Sequence, residues 1–548
     1  MTSSTSPEPD LLDLLVVGGG MGGIAAVHEA VAHGLSVRGL EGGSGLGGVW
    51  FWNRYPGARC DTESLDYSFS FSPELDQEWS WTERYPTQPE LEDYLNHVVD
   101  RFDLRRHFQL ETLVTELEWE EQALRWRVTT SRGMYLARHV TLATGMLHHR
   151  VLPDYPGMET FAGESFHTAA WPADLDLTGK RVAVVGTGSS GIQVVGPVAE
   201  VAAELHVFQR SANYIIPAQQ GRLDPDEYAE VKRTYPERRK QLRHANGGGL
   251  WLSGTGRSAL DDTPEQRELE YGRAWGKGGF HFLVTYDDLT TNQAANDTAG
   301  EFLRRKLPSL VGKPELLPLL TPKPDVSVGI KRIGVDVGFY AAFDHDHVHL
   351  VDARATPITG ITPTGISTTD RDIDVDVIVY ATGFDAFTGS INQITIRGTG
   401  GRLLTDAWAD GPRTWHGMMV AGFPNLFMIC GPGGPNITAN VPALSELEAR
   451  WISDLVVAVR AEGAHAVDAD ADEQERWTAQ VEADARQTLY ASHDTWFNGA
   501  NVAGKARVYP TYTRGATRYY DLIEDLAAAG YPGLHRLAAV VPADARAS

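Results

Sequence analysis

Two glycine-rich segments, each placed between an apolar run and a helix-like stretch, constrain the fold of this chain more than any other feature. The first spans Gly18 to Gly23 and fits the pattern G-x-G-x-x-G. Apolar residues 14–17 precede it and small or apolar residues 24–32 follow it, as expected for a buried strand and a helix packed on a sheet. In such a unit the glycines permit a tight turn and a close approach of pyrophosphate, whose charge the helix N-terminus attracts. We therefore predict a dinucleotide site with contacts at Gly18, Gly20 and Gly23.

An acidic residue follows the next predicted strand and indicates the kind of ribose that this site binds. The strand covers residues 35–40, and Glu41 comes directly after it, 18 residues beyond Gly23. A carboxylate at this place accepts a hydrogen bond from a ribose hydroxyl. The first site is therefore predicted to hold an unphosphorylated ribose, which suits FAD.

The second glycine-rich segment follows the apolar residues 181–185 and also fits G-x-G-x-x-G. Here the next predicted strand, residues 205–208, is followed by Gln209-Arg210-Ser211 and not by an acid. A carboxylate would repel a 2′-phosphate, whereas an arginine beside a hydroxyl would bind it. The second nucleotide is therefore predicted to be NADPH, the alternative being a solvated arginine. The predicted contacts are Gly186, Thr187, Gly188, Ser189, Ser190, Gly191, Gln193, Arg210 and Ser211.

Two further apolar runs, residues 140–145 and 377–383, both end in Ala-Thr-Gly, which would let the chain turn closely past a bound cofactor. The duplication favours a shared role over two ordinary strand ends. Between these runs the sequence becomes charged, and Asp224-Pro225 and Thr263-Pro264-Glu265-Gln266 are typical of helix starts. We interpret this region as a helical insertion.

Composition excludes several other classes of protein. The chain has 548 residues, which is too long for one core, and 42% of them are hydrophobic. Its formal net charge of −24 argues against nucleic acid or an anionic membrane as a general partner. Cys60 and Cys430 are the only cysteines, so we expect no disulfide framework and no metal site, and no C-x4-C pair suggests a disulfide reductase. Residues 1–10 resemble a polar tail without a basic signal region, so a cytoplasmic protein is expected.

These observations predict an α/β fold with two Rossmann-like dinucleotide-binding domains. The FAD-binding domain would comprise residues 1–150 and 385–548, and the NADP-binding domain residues 151–218 and 330–384. The helical insertion in the NADP-binding domain would cover residues 219–329.

The segment joining the two glycine-rich units carries a resemblance to a known family. It matches F-x-G-x-x-x-H-x-x-x-W-P at Phe161, Gly163, His167, Trp171 and Pro172, and this pattern resembles the signature of type I Baeyer–Villiger monooxygenases. Residues 47–61, with their Trp, Tyr-Pro-Gly turn and Asp, resemble a second signature of the family. Related flavin-containing and N-hydroxylating monooxygenases share both glycine-rich units but usually vary the tryptophan, so Trp171 separates the two interpretations.

The resemblance implies a reaction and its catalytic residues. NADPH would reduce the flavin, O2 would add at the flavin C4a position, and the resulting peroxide would convert a ketone to an ester or lactone, with sulfide oxidation as a side activity. The negative charge of the peroxide requires a fixed cation nearby that does not lose its own proton. Arginine meets this requirement. By resemblance Arg332 is the catalytic arginine, Asp61 its orienting carboxylate and Lys331 a 2′-phosphate contact. For an isolated Lys-Arg pair, a solvated surface pair would be the ordinary interpretation.

Other residues fall on family positions that contact the cofactors, although each could instead be a core residue. Trp50, Tyr67, Val114 and Val441 match flavin contacts, and Trp496 matches the residue that covers the nicotinamide. For His167 we predict a structural role and not a general base, because the motif would lie in an interdomain linker.

Two alternatives stay open at this point. A flavin-containing monooxygenase acting on nitrogen or sulfur would depend little on Arg332, and a redox protein could bind FAD and NADPH without oxygenating anything. The expected partners are a small ketone and O2, with neither nucleic acid nor membrane. The sequence determines neither the ketone nor the oligomeric state, and a monomer is one of the states it allows.

Overall fold

The computed structural model describes residues 9–244 and 250–538, so most of the predicted polar tail lies outside the described residues. Two separate sheets of mainly parallel strands dominate the described chain, and helices cover their faces. Within the described ranges, no helix is long and apolar enough to cross a membrane.

The first sheet has eight strands in the order β17-β4-β5-β6-β1-β2-β3, with β18 paired to β6. Strand β1 of this sheet is apolar almost throughout and buried at its carboxyl end, as expected for a parallel strand covered on both faces. Only the β4–β5 and β5–β6 pairs are antiparallel. Its strands are β1 Leu11–Val17, β2 Val37–Leu40, β3 Phe108–Gln109, β4 Val114–Glu120, β5 Arg125–Thr130, β6 Gly133–Leu142, β17 Thr395–Arg397 and β18 Leu426–Met428.

Helices from both ends of the chain accompany the first sheet. The small and apolar residues of α1 share one buried cluster with the long helix α12, so sequence-distant segments complete one core. A two-stranded pair, β19 Ala466–Ala469 and β20 Leu534–Leu537, lies beside them. These helices are α1 Met21–Ala32, α2 Val49–Trp52, α3 Pro73–Glu78, α4 Gln88–Arg101, α11 Leu404–Ala407, α12 Val441–Ala461, α13 Ala471–Ala485 and α14 Ala516–Ala528.

The second sheet is entirely parallel, in the order β12-β9-β8-β16-β7. The buried run Arg-Val-Ala-Val-Val of β8 leads into the second glycine-rich segment, as the sequence predicts. The strands are β7 Glu164–His167, β8 Arg181–Val185, β9 Glu204–Gln209, β12 Val348–Asp352 and β16 Val377–Tyr380, and the accompanying helices are α5 Ser189–Val201 and α10 Phe339–Ala342.

Short strands and four helices complete the chain between and beside the two sheets. In the sequence all four helices lie between β10 and β11, which pair with each other, and β13, β14 and β15 form a small antiparallel sheet. Their bounds are β10 Ile215–Pro217, β11 Gly334–Asp336, β13 Ile358–Thr362, β14 Gly365–Thr368, β15 Asp372–Asp374, α6 Pro225–Arg243, α7 Pro264–Lys277, α8 Gln293–Lys306 and α9 Leu317–Leu320.

Both predicted helix starts in this region are confirmed. Asp224 caps α6, and Thr263 forms a capping box with Gln266 at the start of α7. The helices do not pack as one unit, however. Arg238 of α6 donates two hydrogen bonds to Asp66, at 3.0 and 2.6 Å, which ties α6 to the first sheet's side of the molecule. Helices α7 and α8 instead form a separate apolar cluster next to β10.

A buried carboxylate on α12 makes stability depend on pH. Glu448 is fully buried and contacts the N–H of Cys430 at 2.7 Å and the Tyr519 hydroxyl at 2.9 Å. Burial raises the pKa of Glu448 to about 8. A proton on Glu448 can be donated to the Tyr519 hydroxyl oxygen, because Tyr519 donates its own proton to the carbonyl of His416 at 2.8 Å. At pH values below about 8 the folded protein therefore favours the neutral form of Glu448.

We expect the Glu448→Gln variant to lose less stability than the parent as the pH rises. The folded pKa lies above the ordinary value of 4.5, so the stabilisation is complete below pH 4.5 and lost as the pH passes through about 8. Between about pH 7 and about pH 9 the parent should lose about 1 kcal/mol more than the variant. Denaturant unfolding at both pH values measures this difference, with Glu237→Gln on exposed α6 as the control. Parallel pH dependence of parent and variant would contradict the assignment.

Candidate active site

The first glycine-rich turn joins β1 to α1 and is packed too closely for side chains. Gly18 has a φ of +112°, and a Cβ added there would lie 2.4 Å from the carbonyl oxygen of Ala143. A Cβ on Gly23 would lie 1.9 Å from the carbonyl oxygen of Gly18. The helix therefore begins directly against the turn, and Ala143 belongs to the first Ala-Thr-Gly segment.

The second glycine-rich turn, between β8 and α5, repeats this arrangement. Gly186 has a φ of +111°, and its Cβ would lie 2.5 Å from the carbonyl oxygen of Ala381. A Cβ on Gly191 would lie 2.1 Å from the carbonyl oxygen of Gly186. Each Ala-Thr-Gly segment thus supplies the carbonyl on which the first glycine of a dinucleotide turn packs, which is the shared role that their duplication suggests.

Both helices that begin at these turns present free N–H groups to a ligand. Gly20 caps α1 and Gly188 caps α5, neither cap makes a side-chain hydrogen bond, and neither helix has an acidic residue in its first turn. A Cβ on Gly188 would meet no atom within 4 Å, so this turn is open. Uncapped helix N-termini of this kind bind phosphates, so both turns fit the pyrophosphate of a dinucleotide.

Glu41 is positioned at the first turn as the sequence predicts. Its two carboxylate oxygens accept backbone N–H groups from Gly19 and Gly43, each at 2.7 Å. An ionised carboxylate has about four acceptor sites, so these two hydrogen bonds leave capacity for a ribose hydroxyl. The arrangement fits FAD at this turn.

A group of cations lies at the carboxyl end of β9, beside the second turn. Lys331 Nζ lies 3.4 Å from Ser211 Oγ, and Arg210 is exposed next to Ser211. Burial and the charges of nearby arginines, Arg210 foremost, lower the pKa of Lys331. Neither Lys331 nor Arg210 forms a salt bridge with any carboxylate of the described chain. Uncompensated cations around a hydroxyl fit an anion such as a 2′-phosphate.

Arg332 and Asp61 form a bidentate ion pair although 271 positions separate them in the chain. Arg332 Nε donates to Asp61 Oδ2 at 2.7 Å, and Nη2 donates to Asp61 Oδ1 at 2.6 Å. Burial opposes the charge of Arg332, but Asp61 outweighs it and raises the pKa of the guanidinium. The Asn213 side chain also donates to the Arg332 carbonyl at 2.9 Å. Arg332 is therefore held in a fixed orientation and keeps its proton.

Aromatic residues surround this ion pair. The guanidinium of Arg332 lies 4.7 Å from the centre of the Phe280 ring, a cation–π contact that sequence reasoning missed. Burial raises the pKa of Tyr67 well above its ordinary value, and Asp61 and Arg332 also act on Tyr67 electrostatically. The rings of Tyr67 and Trp50 meet edge to face at 6.0 Å. The structure thus brings four predicted site residues together: Trp50, Asp61, Tyr67 and Arg332.

Two predicted flavin contacts lie elsewhere on the first sheet's side. Val441 is the first residue of α12 and packs on the core that contains Trp50 and Tyr67. Val114 begins β4 and lies in a different buried cluster, with residues of β1 and β2. Val441 therefore shares a buried cluster with Trp50 and Tyr67, whereas Val114 does not.

Gln193 of α5 contacts protein on both sides of its amide. Gln193 Oε1 accepts the Tyr55 hydroxyl at 2.7 Å, and Nε2 donates to the carbonyl of Arg59 at 3.0 Å. Gly57, with φ +82°, lies so close that a Cβ would be 2.4 Å from the Gln193 carbonyl oxygen. The Tyr-Pro-Gly turn that precedes Asp61 thus packs against α5, the helix of the second glycine-rich unit.

The Phe161–Pro172 segment is not the linker that the sequence suggests. Glu164–His167 forms β7, an edge strand of the second sheet that pairs in parallel with β16. His167 Nδ1 accepts the N–H of Ala169 at 3.1 Å, so Nε2 carries the proton donated to the Gly383 carbonyl at 3.1 Å. Burial lowers the pKa of His167 to about 4. Trp171 packs on Phe166 and on the core beneath the sheet.

We expect His167→Ala to reduce stability without changing the pH dependence of activity. Both ring nitrogens are occupied by backbone groups, so the variant loses two buried hydrogen bonds, worth about 1–3 kcal/mol together. A neutral imidazole ring whose two nitrogens are both hydrogen-bonded does not gain or lose a proton near neutral pH. Denaturant unfolding and a pH–activity profile of the variant test this, with exposed His535→Ala as the control. A shifted acidic limb in the profile would contradict the structural role.

Trp496 lies on a short capped turn at the exit of β16. Thr495 and Asn498 form a capping box around it, and the ring stacks on Phe387 at 6.3 Å. Further along, the side chain of Asn501 donates to the carbonyl of Phe384 at 2.8 Å. The segment is therefore fastened next to the second Ala-Thr-Gly segment, where a nucleotide bound to the second turn would pass.

Comparison with known proteins gives a consistent result over the whole chain. The family described as pyridine nucleotide-disulphide oxidoreductase matches residues 15–245. A Baeyer-Villiger monooxygenase of Pseudooceanicola batsensis is 37% identical over 98% of this chain and 98% of its own length. A phenazine N-monooxygenase of Lysobacter antibioticus is 36% identical over 95% of this chain and 96% of its own length.

Solved structures agree in fold. A steroid monooxygenase bound to NADP is 45% identical, with a TM-score of 0.92 over 96% of this chain and all of its own. The protein OTEMO, solved in complex with FAD and NADP, is 34% identical, with a TM-score of 0.92 over 96% of this chain and all of its own.

Proposed function

Because the chain belongs to the Baeyer–Villiger monooxygenase family, we propose that it uses NADPH and O2 to convert ketones into esters or lactones. The observation that carries this proposal is the bidentate pair of Arg332 and Asp61, set among aromatic residues. Within this pair the guanidinium of Arg332 supplies the permanent positive charge that this reaction requires, and Asp61 holds it in place. Sulfide oxidation is proposed as a side activity.

We propose that FAD binds the first glycine-rich turn and NADPH the second. The uncapped helix N-termini, Glu41 and the cations beside Ser211 support this assignment, and OTEMO has been solved with both cofactors. The division into an FAD domain, an NADP domain and a helical insertion, with the predicted boundaries, is part of the proposal. So are a cytoplasmic location and the predicted contacts Trp50, Tyr67, Val114, Val441 and Trp496.

Bound FAD, reduced by NADPH, would supply the activated oxygen, and the protein's own residues would direct its use. Arg332 can hold a ketone oxygen through N–H groups that Asp61 does not use, because a guanidinium has five such donors. Negative charge develops on that oxygen when the ketone carbon is attacked, and a fixed cation beside it stabilises this charge. Asp61 orients the guanidinium plane, and Phe280 covers one of its faces.

The substrate class can be narrowed by the neighbour named a steroid monooxygenase, which at 45% identity supports a bulky ketone. The test is to incubate purified holoenzyme with NADPH, O2 and a panel of linear, cyclic, aryl and steroid ketones. We expect esters or lactones that contain one atom from labelled O2. A protein that yields only hydrogen peroxide with every ketone would refute the proposal and indicate a cofactor-binding redox protein.

N-oxygenation is the second candidate function, because a relative of comparable identity is named an N-monooxygenase. Oxygenation of nitrogen needs no positive charge beside a carbonyl oxygen, so N-oxide formation should survive removal of Arg332. Adding phenazines and tertiary amines to the same panel separates the two functions. Products confined to N-oxides would favour this second candidate.

A further inference from the structure

A third cation lies at the carboxyl end of the second sheet, on the strand next to β9. In the parallel register of β9 and β12, Gln209 is opposite Asp352. The N–H of Ala353 donates to the carbonyl of Gln209 at 2.9 Å, so the pairing continues past the strand ends. Arg354 therefore leaves β12 at the level where Ser211 leaves β9.

The turn that presents Arg354 is fixed by a neighbouring carboxylate. Asp352 Oδ1 accepts the N–H of Arg354 at 2.9 Å and the N–H of Ala355 at 3.1 Å. The side chain of Arg354 is exposed, and it forms no salt bridge with a carboxylate of the described chain. It is free to bind a ligand.

The positive charges around Ser211 come from three separate segments. Arg210 follows β9, Lys331 precedes β11, and Arg354 follows β12. The charge of Arg354 lowers the pKa of Lys331, as that of Arg210 does, in agreement with the strand register that brings Arg354 level with Ser211. Holding three like charges together is unfavourable unless an anion joins them.

We propose that Arg354 is a third cation for the 2′-phosphate of NADPH and helps the enzyme to reject NADH. The inference rests on the proposed function, because it presumes that the second turn binds this nucleotide. A phosphate monoester carries about −1.5 to −2 charge at pH 7 and has three strong acceptor oxygens. Arg210 and Lys331 reach it from β9 and β11, and Arg354 supplies a donor from the β12 side.

The test measures binding without turnover. Calorimetric titration of the oxidised holoenzyme with 2′,5′-ADP and with 5′-AMP compares ligands that differ only in the 2′-phosphate. Arg354→Ala should weaken 2′,5′-ADP binding about tenfold and leave 5′-AMP binding unchanged. Arg354→Lys should retain part of the preference. Arg460→Ala, which removes another exposed arginine, at the end of α12, is the control and should change neither affinity.

Each result decides between the inference and the proposed function on which it rests. If Arg354→Ala weakens both ligands equally, or neither, the assigned role is wrong while the proposed function stands. If the parent protein itself shows no preference for 2′,5′-ADP, the NADPH assignment fails together with the inference. Arg354→Lys keeps the test valid if the alanine variant does not fold.

Discussion

Replacing Arg332 with alanine should slow ester and lactone formation about 10²–10³-fold while NADPH still reduces the flavin. In the variant, no fixed cation stabilises the negative charge that develops on the ketone oxygen. Removing one such stabilising group typically costs about 10²–10³ in rate. Product analysis under turnover measures the loss, and anaerobic mixing with NADPH measures flavin reduction separately.

The Arg332→Ala variant also leaves Asp61 without its partner, so a control for the broken ion pair is needed. Arg181 forms a comparable bidentate pair with Asp376, with one contact at 2.8 Å, at the amino end of β8. Arg181→Ala removes the same kind of pair away from the glycine-rich turn and should retain oxygenation. Retained ester formation by Arg332→Ala would remove Arg332 from the catalytic role.

Replacing Arg210 with alanine should raise the Michaelis constant for NADPH far more than that for NADH. A charge-assisted contact to phosphate is worth roughly 1.5–3 kcal/mol, or about tenfold to a hundredfold in affinity. NADH lacks the 2′-phosphate and therefore loses nothing when Arg210 is removed. Steady-state kinetics with both nucleotides gives the ratio directly.

Salt dependence separates a phosphate contact from a structural effect of Arg210. The preference of the parent for NADPH should fall as the salt concentration rises, because exposed charges are screened, and the variant should show little of this dependence. Arg460→Ala again serves as the charge control. Equal changes in both Michaelis constants would show that Arg210 does not bind the 2′-phosphate.

The parts of the fold that could be predicted are those encoded over short stretches. The turn from Gly18 to Gly23, with its flanking strand and helix, depends only on neighbouring residues. The same is true of the capped helix starts at Asp224 and Thr263. The Phe161–Pro172 segment was misread because β7 is a short edge strand with exposed residues and lacks the apolar run that identifies a buried strand.

Contacts between distant segments could not be predicted in this way. The pairing of Arg332 with Asp61 was proposed by resemblance alone, since nothing in the local pattern of either segment indicates the other. In the sequence, Phe280 looks like an ordinary core aromatic residue, and Arg354 looks like a surface charge that follows a strand. Each acquires a role only when separate segments meet in the folded chain.

The packing of the Tyr55–Gly57 turn against α5 would limit how the second sheet can rotate. Gln193 is the fifth residue of α5, within two turns of its start, so its contacts to the Tyr55–Gly57 turn would act as a fulcrum. Motion about a fulcrum displaces nearby atoms little and distant atoms much. The pyrophosphate of a nucleotide bound at Gly188 would therefore move little, while its adenosine end, beside Arg210 and β12, would move through a larger distance.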